Sequence, residues 1–479
     1  MRSTLLVLLL IACVAVPARS SAQSAPAAGA GEDTAAYFFL LGRHLESLGR
    51  IDEAIAAHKR ALELEPESAE LRAELAGLYA RQDKATESLA MAEAALQKDP
   101  ANREANRILG SIYAALAGQR QPLRPGDNPA QYASRAIAAL EKARQPNTFD
   151  IGLELTLGRL YVQTDAFAKA IPLLQGVVAD QPGYAEGPIL LAAAQEGAGR
   201  PEEAIKTLET ALEQNPKFYR AQLRVAELYE RQRQWTSAAE ALARAQALNP
   251  GAPLGTRRAA ALINGGKPAE ARELLEESLA AATPDAQAPV ELYLLAEAQR
   301  AMKDVSAAEA TAQKLLARDP ADTRGLHVMS LILQDKGDAQ GAERVLRDLI
   351  AQDPLDANAL NSLGYMYAER GERLDEAVAL LQRALKIEPD NPSYLDSLGW
   401  AYFQQGRLEL ADRPLTDAAA RLTESSVVQD HLGDLRFRQQ RFADAAAAWE
   451  RALAGDGQSI DRQAIEKKIR DARDRLESR

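Results

Sequence analysis

Eight prolines, Pro66, Pro100, Pro182, Pro216, Pro250, Pro320, Pro354 and Pro389, keep nearly one phase along this chain, 34 residues apart or separated by multiples of 34 plus a small insertion. Proline has no N–H to continue a helix and its ring clashes with the preceding turn. A fixed spacing of this length therefore describes a row of helix-turn-helix modules, each stopped where its second helix ends. A chain of 479 residues would ordinarily divide into about three globular domains, yet one texture runs from end to end. It is rich in Ala, Leu, Glu, Arg and Gln, has 5% aromatic residues and lacks β-branched runs. That composition favours helix throughout, so an all-α fold without strands is expected.

Alignment on the prolines gives twelve modules, beginning near Ala35, Ala69, Arg103, Ile151, Ala185, Tyr219, Pro253, Pro289, Thr323, Ala357, Pro392 and Ser426. The eighth residue is always small: Gly42, Ala76, Gly110, Gly158, Ala192, Ala226, Ala260, Ala296, Ser330, Gly364, Gly399 and Gly433. So is the residue near position twenty: Ala54, Ser88, Ala136, Ala170, Ala204, Ala238, Ala271, Ala308, Ala342, Ala377, Ala411 and Ala445. Two helices can cross closely only where side chains lack bulk. Leu41, Leu75, Leu157, Leu363 and Leu398 precede the first small position, and Tyr79, Tyr113, Tyr161, Tyr367 and Tyr402 follow it as knobs for a neighbouring module. At this spacing the aromatic stripe is packing rather than a cofactor box. Gly49, Gly199, Gly337, Gly371 and Gly406 close first helices, where a left-handed residue is wanted.

Small residues at eight and twenty, Tyr at eleven, Ala at twenty-seven (Ala61, Ala95, Ala211, Ala245, Ala384, Ala418, Ala452) and Pro at thirty-two resemble the tetratricopeptide repeat. The resemblance covers residues 35–457; the seventh module lacks the usual residues, and the last two replace the closing proline by Thr423 and Gly457. It implies a right-handed superhelical α-solenoid of about twelve repeats, with first helices lining a concave groove. Residues 458–479 form a charged capping helix with Ile460, Ile465, Ile469 and Leu476 on one side. Between the helices of the third module an insertion of 14 residues within Ala117 to Gln131, near 117–131, carries Pro122, Pro125, Gly126 and Pro129 and must project as a loop.

The N-terminus reads as an export signal over residues 1–22: Arg2, an apolar run from Thr4 to Val16, then Pro17 and small residues to Ala22. Residues 23–34 follow as a flexible linker. Leu10-Ile11-Ala12-Cys13 also resembles a bacterial lipobox, in which Cys13 would carry lipid and be the only membrane attachment. Either reading places the protein outside the cytoplasm, in the periplasm or associated with the outer membrane. Cys13 is the sole cysteine, so neither a disulfide framework nor a cysteine metal site is expected. The net charge of −11 and pI near 5.2 argue against nucleic acid and anionic membrane. His44, His58, His327 and His431 are scattered over four repeats as ordinary helix-face residues. No phosphate loop, nucleophile elbow, metal-spaced His pair or dense calcium loop is found, so no cofactor and no catalysis are expected.

Positions two, five, nine and twelve of the first helices would face the groove. In the last three repeats they hold Asn358, Asn361 and Tyr365; Asp396, Trp400 and Phe403; Asp430, Asp434 and Phe437. Exposed aromatics among hydrogen-bonding groups have the composition of an interaction hot spot, and these residues are the candidate protein-binding site. The cationic clamp that resembles chaperone-binding members of the family is absent, which favours a basic or neutral extended peptide or a protein partner engaging several repeats. Asn361 to Tyr365, Leu395 to Trp400 and Asp430 to Asp434 are similar to the last repeats of exported bacterial tetratricopeptide adaptors, one of them a lipoprotein that hands substrates to a periplasmic protease. That resemblance implies adaptor work. A structural subunit of an envelope secretion or polysaccharide-export assembly is the alternative.

Overall fold

The computed structural model describes residues 34–119, 122–145, 148–283, 288–457 and 460–477. The expected export signal, Cys13 and nearly all of the linker lie outside the described residues. The chain divides into two compact arrays, one ending at Pro216 and the other starting at Lys217. Among the described residues all regular structure is helical, apart from one isolated bridge between Gln145 and Thr148.

The N-terminal array holds five hairpins: α1 (Ala35–Ser47) with α2 (Ile51–Leu64), α3 (Ala69–Arg81) with α4 (Ala85–Lys98), α5 (Arg103–Leu116) with α6 (Tyr132–Ala143), α7 (Ile151–Gln163) with α8 (Phe167–Asp180), and α9 (Glu186–Gly197) with α10 (Pro201–Gln214). The C-terminal array holds α11 (Tyr219–Arg231) with α12 (Trp235–Leu248), α13 (Gly255–Asn264) with α14 (Pro268–Ala281), α15 (Pro289–Ala301) with α16 (Val305–Arg318), and α17 (Thr323–Asp335) with α18 (Ala339–Gln352). It continues with α19 (Ala357–Arg370) and α20 (Leu374–Ile387), α21 (Pro392–Gln404) and α22 (Leu408–Arg421), α23 (Ser426–Arg438) and α24 (Phe442–Ala454), and ends with α25 (Arg462–Glu477). Within each array hairpins stack in chain order, first helix on first helix: α3 on α5 and α5 on α7, α19 on α21 and α21 on α23.

The proline phase has the cause inferred from it. Each of the eight stands two residues beyond the last helical residue, as Pro66 does after Leu64 and Pro389 after Ile387. The small residues near position twenty are all 0% exposed, from Ala54 to Ala445. Opposite them, a Cβ added at Gly158 or Gly399 would press into Leu174 or Leu415, so the first helix of a repeat lies against the second at backbone distance. The turn glycines take the left-handed backbone, as at Gly49 (φ 73°) and Gly199 (φ 75°), and Asp83, Asp165, Arg233, Lys303 and Gln440 take it at the equivalent place.

That turn residue corrects the register of two repeats. In the seventh, left-handed Gly266 makes Ala259, not Ala260, the equivalent of the eighth position; Ala259 is fully buried and Ala260 is not. In the tenth an extra residue separates Gly364 from Ala377, and it is absorbed by two left-handed residues, Gly371 and Arg373.

The insertion after α5 does not project freely over its described residues. Arg124 reaches back to α4 and donates from both Nη atoms to Glu93, at 2.8 and 2.9 Å. The Leu123 N–H donates to the Tyr132 hydroxyl at 2.8 Å, and that hydroxyl donates to Asp127. A charged bidentate pair and a buried phenol hold the segment down against its proline content. At the other end, α25 lays Ile465, Ile469 and Ala472 on Ala445, Trp449 and Ala452 of α24. Leu476, expected on that face, is exposed.

Candidate functional site

The first-helix positions singled out above lie on α19, α21 and α23, within the C-terminal array. Asp356 starts α19 by accepting from the Ala359 N–H at 2.9 Å, and Asn391 starts α21 by accepting from the Ser393 N–H at 3.0 Å. These caps set where each helix begins, and so which residues come to positions five and nine.

The structure joins Asp396, Trp400, Phe403 and Tyr365 through a residue not counted among them, His431 of α23. Its Nδ1 lies 3.0 and 3.1 Å from the two carboxylate oxygens of Asp396, with both side chains buried. The imidazole is stacked on Trp400 at 4.0 Å and 13°, and Trp400 stacks in turn on Phe403 at 4.8 Å and 12°. Tyr365 stands at its other side, 6.3 Å away. Burial alone would lower the His431 pKa, but the charge and hydrogen bond of Asp396, with Asp430 and Glu369, outweigh it and move the group upward. Burial, then the neighbouring carboxylates of Glu369 and Asp396, raises the Tyr365 hydroxyl.

Trp400 is 8% exposed, not the open ring expected at a groove surface, because His431 and Phe403 cover its two faces. Its Nε1 and the Asn361 Oδ1 are buried with no hydrogen-bond partner. Asn358 stands apart, accepting from the Tyr394 hydroxyl at 2.7 Å.

A second group forms where α23 meets α25. Lys468 donates to Asp430 at 2.8 Å and to Asp434 at 2.9 Å. Burial, and then the charge on Asp430, nonetheless holds the Asp434 carboxyl above its ordinary range. A cavity of about 230 Å³ opens beside this pair, lined by Phe403, Asp434, Phe437, Arg438, Trp449 and Lys468 among others. All three acidic groups expected to face a basic ligand are thus answered from within the chain, two by Lys468 and one by His431.

Sequence reasoning passed over His431, Lys468, Trp449 and Arg438. The histidines are not ordinary helix-face residues: His431 and His58 are buried, and His327 Nε2 lies 2.8 Å from Asp356. For His431 a signal existed, since it sits one residue after position five in a repeat whose neighbour carries Asp396. For Lys468 none did, because which turn of α25 reaches α23 depends on the connection after α24.

The tetratricopeptide repeat profiles match residues 18–69, 189–253, 328–392 and 371–426, residues 45–112, and residues 292–322, together more than half of the chain. The TPR repeat-containing protein PA4667 of Pseudomonas aeruginosa is 30% identical over 215 residues, 45% of this chain and 36% of that protein. The chain thus spans about a third of that relative's length. Among solved structures, yeast Tom70 superposes with a TM-score of 0.45 at 14% identity, covering 93% of this chain and 96% of its own. YrrB, a TPR protein with an unusual peptide-binding site, does so at 0.36 and 22% identity, covering 41% and 95%. With the hairpin stack, the buried small residues and these sequence matches in place, the chain belongs to the tetratricopeptide repeat family.

Proposed function

We propose that this protein is a non-catalytic scaffold that binds a partner protein or an extended peptide along the first-helix face of its last three repeats. The family supports the general part, since tetratricopeptide repeats are typically protein–protein interaction modules. The observation that carries the particular site is the unpaired pair of polar atoms, acceptor Asn361 Oδ1 and donor Trp400 Nε1, in a strip that also holds Tyr365 and Phe403. A main-chain amide offers one donor and one acceptor, and a buried polar group left unpaired is costly. Because Asp396, Asp430 and Asp434 are internally paired, the partner is selected by amide and apolar contacts, and a neutral segment fits better than a basic one.

The pattern of residues 1–22 supports export, so the partner is sought in the bacterial cell envelope, with presentation of substrates to a periplasmic protease as the most specific form of adaptor work. Envelope extract is passed over the immobilised protein and over Asn361→Ala and Phe403→Ala variants. The proposal expects one or more proteins captured by the unaltered chain and reduced at least about tenfold by either substitution, as loss of hot-spot contacts does. Equal capture by all three would place the binding surface elsewhere.

A further inference from the structure

We propose that Glu46, His58 and Glu74 form a binding site for a first-row divalent metal ion, with Zn²⁺ the best fit. The three residues come from α1, α2 and α3, and one ligand atom of each lies within 4.8 Å of the others. Zinc bonds of about 2.0–2.2 Å place neighbouring ligand atoms about 3.5 Å apart, so closure asks for about 1 Å of side-chain movement.

His58 is the independent mark of a ligand. It is 0% exposed, and neither ring nitrogen has a hydrogen-bond partner. It occupies the place where Leu174, Leu208, Leu242, Leu346, Leu381 and Leu415 fill the other repeats, all of them buried. Gly42 lacks the Cβ that would strike the ring, at 2.6 Å from Nε2. An imidazole in a leucine place, with both nitrogens buried and unpaired, costs stability that a metal bond would offset.

The carboxylates are arranged consistently. Glu46 gives Oε1 to Arg81 at 2.6 Å, while its buried Oε2 makes no hydrogen bond. A guanidinium on the outer oxygen holds the inner one toward the histidine, as second-shell partners do for metal-bound carboxylates. Glu74 is paired with Arg43 at 3.1 and 3.3 Å, and Arg43 is half exposed, free to swing outward when the ion enters. One imidazole and two carboxylates suit zinc and its neighbours better than Ca²⁺ or Mg²⁺, which take six or more oxygens. The ion would tie the first hairpin to α3.

The untagged full chain, stripped with chelator, is titrated with Zn²⁺ by calorimetry and with Co²⁺ by visible absorption. The expected result is one ion per chain, d–d bands in the Co²⁺ form, and at least about 100-fold weaker binding by His58→Leu, beyond what second-shell substitutions cost. His58→Leu restores the residue type of the other repeats and should fold, which circular dichroism checks. Should it not, Glu74→Gln on the exposed side carries the test with the same expected loss, and His327→Asn should bind as the unaltered chain does. Binding unchanged in His58→Leu and Glu74→Gln, or no d–d spectrum in the unaltered chain, overturns the proposal.

Discussion

His431 and Asp396, 35 residues apart on successive first helices, form a buried ion pair with Nδ1 3.0 Å from Oδ1. The folded state raises the histidine above its ordinary value of about 6.5. Its contribution to stability is therefore fully present below the unfolded pKa and is lost as pH rises through the folded one. Thermal melts should show the midpoint falling as pH is taken upward from about 6.5. Asp396→Asn should flatten that dependence, and should itself cost about 3–5 kcal/mol, as removal of one partner from a buried pair does. A midpoint that rises over the same window would show that the imidazole is neutral in the folded protein.

Gly433 faces the Trp449 indole so closely that a Cβ there would overlap it. Gly433→Ala should destabilise by about 1–3 kcal/mol. Other repeats pair Ala with Leu at the same two places, as in Ala192 with Leu208 and Ala226 with Leu242. The double variant Gly433→Ala with Trp449→Leu should therefore be more stable than the sum of its singles allows. A double-mutant cycle by chemical denaturation reads the coupling.

Lys468 ties α25 to α23 through Asp430 and Asp434. Lys468→Met should cost about 1.5–3 kcal/mol, the range for a hydrogen bond to a charged group. It should also speed proteolysis in the connection after Ala454. Adding Asp434→Asn should recover part of the loss, because the uncompensated carboxylate is gone.

Tyr132 is fully buried and its hydroxyl serves the Leu123 N–H. Tyr132→Phe should cost about 1 kcal/mol, and Arg124→Ala, which frees the insertion from Glu93, should raise amide exchange over residues 122–131. Exchange unchanged by Arg124→Ala would mean that the segment is held by other contacts.

The architecture was legible because the repeat writes one packing rule many times. Ala54 and Ala445 obey the same steric demand, so each aligned module tests the others. Register failed only where the turn changed length, at Ala260 and after Gly364, and the left-handed residue that marks the turn is hard to recognise when it is Asp, Arg, Lys or Gln. The candidate site was half legible. Asp396, Trp400 and Asp434 stand on the expected helices, but whether a position-nine ring is open or covered depends on the next repeat, where His431 and Lys468 belong to no period. The insertion misled for a related reason: its prolines signal a loop, while its tether, Arg124 to Glu93, spans 31 residues.

The central claim is that the first-helix face of α19, α21 and α23 meets the partner. A photoreactive residue placed singly at Asn361, at Phe403 and, on a second helix, at Glu409 tests it in cells. Adducts with one partner from positions 361 and 403 and none from 409 are the expected result. Adducts from 409 alone would contradict the account.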